Sequence, residues 1–300
     1  MNIFNLNKYL LSRVNEKSNS ASLMNALFVA FVFCMQPSTA LAAALNDIEA
    51  VPHLDSAGKQ GYREFLAAEF HRAFVIAPGG GWFWKAGESE AESAIENALQ
   101  ACLESTGKVC LPYAENDKVV FDEKSWARLW GPYQNRAEAA QAYTGKERGD
   151  RFFNLAFKSA AGKPMKLSDL KGKVTLLHFW GSWCPSCLRE MPELQALHRA
   201  LGSSPDIQMV LLQVREKFDA GRQWAKQQQL DVPLYDSSSA ADKLTLAGGK
   251  VIHDREIASA FPTTYILDKH GIVVFSHVGS VSGWLQYLPL LRDVAERSGK

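Results

Sequence analysis

Two cysteines separated by two residues, Cys184 and Cys187, are the residues of this chain whose types and spacing carry a definite chemistry. They follow the apolar run 174–177 and the pair Phe179-Trp180, and they lead into Leu188-Arg189-Glu190-Met191-Pro192-Glu193-Leu194. That pattern reads as a buried strand feeding straight into a helix. The first cysteine then sits at the helix N-terminus, where free backbone N–H groups and the positive end of the helix dipole stabilise a thiolate. The second lies about one turn further on, in reach to close a small ring or to resolve a mixed disulfide by thiolate attack. Dithiol–disulfide exchange is the expected chemistry.

The rest of the chain must address and support that centre. Its 300 residues, 47% hydrophobic and 22% charged, suit two globular domains. The 33 basic and 32 acidic residues are spread along the chain and leave a net charge of +1, which excludes nucleic acid as a partner. Lys8, Arg13 and Lys17 precede the apolar segment 23–35 and an Ala40-Leu41-Ala42 exit, the pattern of a cleaved signal peptide over 1–42. The apolar segment is short of the roughly 20 residues that span a bilayer. Of the five cysteines, Cys34 falls in this segment after Phe33, which argues against lipidation. The remaining four, in an exported chain, point to two pairs.

Residues 43–144 read as a small α+β accessory domain. Helical periodicity covers 62–71, strands 72–77 and 82–84 flank a glycine turn, a helix spans 89–103, and short strands follow at 111–113 and 119–121. Cys102 near that helix's end and Cys110 near the next strand's start are separated by the turn Thr106-Gly107, which predicts a structural disulfide. No further Cys or His at ligand spacing supports a metal site. Gly79-Gly80-Gly81 has no Lys-Ser/Thr and no helix start behind it, so it is a hairpin loop rather than a phosphate loop. The polar segment 138–150 is the expected boundary. Beyond it, the second domain over 145–300 alternates strands (152–157, 174–180, 207–214, 234–235) with helices (185–201, 218–230). A hairpin of 263–267 and 272–277 and a closing helix over 282–297 follow, the order of a mixed α/β sandwich.

From about Asp150 onward the chain resembles exported thioredoxin-like thiol-disulfide oxidoreductases of the TlpA and ResA type. The match rests on Gly172-Lys173, on Phe179-Trp180-x-x-Trp183-Cys184-x-x-Cys187, on Glu190-x-Pro192, and on Phe261-Pro262-Thr263-Thr264 with Asp268-x-x-Gly271. The resemblance implies a thioredoxin-like fold with Cys184 as attacking and Cys187 as resolving thiol. It implies a cis-proline at Pro262 facing the dithiol, with Trp183, Phe261 and Thr263 on the substrate side. It also implies an acidic proton partner at Glu190 and a helix kinked at Pro192. His178 stands where the family often has Asn, and is either a proton relay or a core histidine. Segment 236–257 is longer than the family norm and suggests an added loop near the site.

Protein disulfides are the implied substrates, the periplasm the implied compartment, and a membrane thiol donor the implied source of electrons, with no cofactor. A reductase is expected over an oxidase or isomerase. A copper-handling protein of this fold would want Cys-x-x-x-Cys, and a peroxiredoxin would want Thr where Gly181 stands.

Overall fold

The computed structural model describes residues 45–299. The expected signal peptide over 1–42, with Cys34, lies outside them. The described residues fall within one compact unit.

The first stretch is a small sheet with helices on both faces. Its elements are α1 (Ser56–Ala67), β1 (Ala73–Ala77), β2 (Gly81–Lys85), α2 (Ala91–Thr106), β3 (Leu111–Glu115), β4 (Lys118–Val119), α3 (Glu123–Arg128) and α4 (Arg136–Gln141). The strand order is β2-β1-β3-β4, all antiparallel. β1 reads Ala-Phe-Val-Ile-Ala and is buried throughout, because alternate residues serve two cores. Phe74 and Ile76 meet Tyr62 and Phe65 on one side, while Ala73, Val75 and Ala77 meet Ala94 and Ala98 on the other.

α1 starts six residues earlier than the apolar periodicity suggests, because Asp55 caps it and accepts the Gly58 N–H at 2.8 Å. It also ends earlier, at Ala67. Gly58 and Gly61 let the Trp82 indole lie against the helix; a Cβ at Gly61 would stand 2.4 Å from that ring. Cys102 and Cys110 are joined in a disulfide between the end of α2 and the lead into β3.

The polar boundary is more ordered than its composition suggests. α4 occupies part of it, and β5 (Thr144–Gly145) pairs in parallel with β6 (Arg151–Phe152). The single strand expected over 152–157 is divided between β6 and β7 (Leu155–Ser159).

There follow β8 (Pro164–Lys166), β9 (Val174–Trp180), α5 (Pro185–Leu201), β10 (Ile207–Gln213), α6 (Phe218–Gln227), β11 (Leu234–Asp236), β12 (Lys243–Leu246), β13 (Val251–His253), β14 (Thr263–Leu267), β15 (Val273–Val278) and α7 (Leu288–Arg297). Among the described residues these strands build a nine-stranded sheet in the order β13-β12-β7-β11-β10-β9-β14-β15, with β8 paired to β7. β9, central and buried at all seven positions, pairs parallel to β10 and antiparallel to β14. It alternates cleanly: Val174, Leu176 and Trp180 face the core shared with α5 and α7, and Leu177 and Phe179 face Leu155, Val210 and Tyr265.

The expected added loop over 236–257 is instead the hairpin β12–β13, which lengthens the sheet by pairing with β7. Its short, polar strands acquire their pairing from tertiary context. The closing helix begins later than expected, since Trp284–Tyr287 is a 3-10 turn ahead of α7.

One apolar cluster runs through both stretches, from Val51, Tyr62, Trp126 and Trp130 to Trp180, Trp284, Tyr287 and Val294. His53 is a polar joint in it. Its ring stacks on Tyr287 at 4.1 Å, its Nδ1 accepts the Gly79 N–H at 3.0 Å, and its Nε2 donates to the Gln286 carbonyl at 3.2 Å. These partners select one neutral tautomer, and burial lowers its pKa to about 4.

Candidate active site

β9 ends at Trp180, and Gly181-Ser182-Trp183 turns the chain into α5. Gly181 is needed for that turn: a Cβ there would stand 2.2 Å from the Trp183 indole nitrogen. The indole donates to the Val214 carbonyl at 3.1 Å and leaves Trp183 43% exposed. Cys184 is the N-cap of α5, with Pro185 in the first turn, where its missing N–H costs nothing. The Cys184 sulfur accepts the Cys187 N–H at 3.2 Å, so a free helix N–H is already directed at it. Its thiolate would be stabilised by that donor and by the helix dipole. Cys184 and Cys187 are joined in a disulfide. Cys184 keeps 4% exposure and Cys187 none, so only the first sulfur is in reach of a partner.

Pro262 follows Phe261 through a cis peptide bond at the head of β14, the antiparallel neighbour of β9. The Ser186 hydroxyl lies 3.3 Å from the Cys184 sulfur and donates to the Phe261 carbonyl at 3.3 Å, linking the dithiol to the proline segment. Trp183 and Phe261 meet edge to face at 5.4 Å and wall the accessible sulfur. Thr263 does not join them. It is fully buried, and its hydroxyl is committed to the Ala260 carbonyl at 2.6 Å. Its place in β14, paired to Phe179 on one side and Val278 on the other, turns it inward and corrects the expectation of a substrate contact.

Glu190 lies one helical turn beyond Cys187 on the buried face of α5, with Met191, Leu194 and Leu197. Its Oε2 accepts the Val281 N–H at 2.9 Å and the Trp284 indole N–H at 3.3 Å. Its Oε1 faces His178 Nε2 at 3.3 Å, and neither atom has another partner. His178 projects from β9 toward the same core, and its Nδ1 lies 2.8 Å from the hydroxyl of Thr264, its cross-strand neighbour on β14. Burial dominates both titrations: it pushes the Glu190 carboxyl up to about 8 and lowers His178 to about 3. Burial thus favours the neutral form of both groups. The structure thus brings Cys184, Cys187, Glu190, Pro262, Trp183, Phe261 and His178 together. Cys102 and Cys110 belong to the first stretch.

Ser186 stands inside the Cys184-x-x-Cys187 motif, whereas Arg215, paired with Asp254 outside the dithiol and against the Phe261 ring, has no motif to announce it. The signal for Arg215 was positional: charged residues just past the C-terminal end of a buried parallel strand stand where α/β sheets place their sites. His253 and His277, the histidines a copper-handling protein of this fold could draw on beside His178, stand in separate surroundings. His253 pairs with Asp242 on the added hairpin, and His277 stacks on Phe275.

A dithiol at the start of the helix after the central strand, facing a cis-proline on the neighbouring strand, defines the thioredoxin-like class of oxidoreductases. Residues 147–285 match the Redoxin family model. The chain is 32% identical over 138 residues to a protein named thiol-disulfide oxidoreductase ResA from Bacillus cereus, covering 44% of this chain and 73% of that one. It is 29% identical over 153 residues to a thioredoxin-like protein of Bacillus subtilis, covering 51% and 82%. A solved structure described as a thiol:disulfide interchange protein DsbE from Chlorobium tepidum aligns with TM-score 0.40 and 21% identity, over 50% of this chain and 99% of that one. The chain belongs to the ResA-like thiol-disulfide oxidoreductases of the redoxin family, through its C-terminal half.

Proposed function

We propose that this chain is an exported protein-disulfide reductase acting through the Cys184-Pro185-Ser186-Cys187 dithiol. The observation that carries the reading is the pairing of a single accessible sulfur at a helix N-terminus with a buried carboxyl, raised in pKa by that burial, one turn behind its partner. In the reduced protein the Cys184 thiolate attacks one sulfur of a polypeptide disulfide. An S–S bond forms to Cys184, and the partner's other sulfur leaves as thiolate. The Glu190 carboxyl gives its proton to that first leaving thiolate, and the carboxylate so formed takes the proton of Cys187, which attacks Cys184. The second partner sulfur is released, and the Cys184–Cys187 disulfide remains. Two electrons pass from the dithiol to the partner. The protonated Glu190 beside the disulfide is the state this sequence leaves behind.

His178 and Thr264 are in place to share that proton. The exposed Trp183 and the Phe261 segment ahead of Pro262 suit an extended polypeptide laid beside Cys184. Export through a cleaved signal peptide, a periplasmic setting and re-reduction by a membrane thiol donor complete the reading. The stretch over 43–144 acts as an accessory domain that positions partners.

The test is reduction of insulin by the purified protein with dithiothreitol as donor. Wild type accelerates it, and Cys184→Ala falls to the uncatalysed rate. Reduction by Cys184→Ala at the wild-type rate would refute the proposal.

A further inference from the structure

The hairpin β12–β13 leads into the turn that carries Asp254, and Asp254 reaches back to the surroundings of the dithiol. This carboxylate is 1% exposed and takes Arg215 in a two-pronged pair, Nε to Oδ2 at 2.5 Å and Nη2 to Oδ1 at 2.6 Å. His253 is its other close polar neighbour, with Nδ1 3.3 Å from Oδ1. Arg215 stands two residues past the end of β10, with φ of 61°. A bidentate fork fixes the plane of a guanidinium as well as its position. Held so, the group lies 5.0 Å from the centre of the Phe261 ring and 5.9 Å from that of Trp183. Both distances are within cation–π range. These two rings flank Cys184, one as its chain neighbour and the other ahead of Pro262. The remaining nitrogen, Nη1, is not engaged by Asp254, and the Arg215 side chain keeps 24% exposure.

We propose that Asp254 and Arg215 are positioning residues, through which the added hairpin holds the Trp183–Phe261 wall in the shape that receives a polypeptide beside its disulfide. The consequence is a preference for polypeptide disulfides over small ones. This inference rests on the reductase reading above and makes a separate prediction.

The reduced full chain is assayed on insulin and on 2-hydroxyethyl disulfide, a neutral disulfide too small to lie along the length of the wall. In Asp254→Asn and in Arg215→Gln the ratio of kcat/KM for insulin to that for the small disulfide falls about five-fold. The loss lies in KM for insulin, and the Cys184/Cys187 potential stays where it was. The double variant loses no more than either single one, since the two residues act as a unit. Arg215→Gln, altering a partly exposed side chain, carries the test if Asp254→Asn fails to fold. An unchanged ratio, an equal loss on both substrates or a shifted potential would overturn the proposal. A wild-type protein inactive on both disulfides would instead overturn the reductase reading, and this inference with it.

Discussion

At the scale of the residue, the decisive contrast is between two ionisable groups removed from water side by side. Glu190 and His178 face each other at 3.3 Å in the core, and each is pushed toward its neutral form. A carboxyl raised to about 8 is matched to the titration of a thiol, whose ordinary pKa is about 8.5. Proton transfer between them is then nearly balanced, which is what an acid–base partner needs. Glu190→Gln keeps the shape and removes the proton acceptor. The account predicts at least a ten-fold slower release of a mixed disulfide at pH 7, with loss of the pH dependence near 8, measured by stopped-flow mixing of the reduced protein with a polypeptide disulfide. The C-x-x-C motif and the acidic residue three positions on were legible in the sequence. The partner of His178 was not, because Thr264 lies 86 residues away, and such a contact leaves no local pattern.

At the scale of the element, β9 and α5 were the most legible parts. A continuous apolar run between lysine and glycine signals admits a buried strand, and the cysteine pair with Pro185 marks a helix start. The hairpin β12–β13 was illegible. Its strands are four and three residues long, mix Lys243, Thr245 and His253 with a few apolar residues, and exist because β7 offers an edge to pair with. The α2–β3 connection was legible from two cysteines and a Thr-Gly turn. Its disulfide closes a short loop, for which chain-entropy arguments give about 2–3 kcal/mol. Replacing Cys102 and Cys110 with Ala together is therefore expected to lower unfolding free energy by about that amount, measured by urea titration. The insulin-reducing rate is expected to stay near wild type, since the pair lies outside the catalytic site.

At the scale of the whole molecule, the two stretches share a core that no reading of either alone would reveal. His53 in the first and Tyr287 in the second stack on each other within it. The buried titratable groups of that core set a pH profile. As pH falls below 6.5, the unfolded chain gains protons at His53 and His178 that the fold refuses, with folded values of about 4 and 3, so stability is lost toward acid. As pH rises above 4.5, the unfolded Glu190 gives up a proton that the fold retains to about 8, so stability is lost toward alkali. Two histidines outweigh one carboxyl below 6.5, and the carboxyl acts alone above it. Thermal unfolding across pH 4.5 to 8 is therefore expected to show a maximum near 6.5; a monotonic profile would count against these assignments. The central claim, that the site donates electrons to partner disulfides, is tested most directly by the equilibrium potential of the Cys184/Cys187 couple against glutathione. The account predicts a reducing value, in the region of −270 to −200 mV, whereas a value near about −120 mV would mark an oxidant and contradict it.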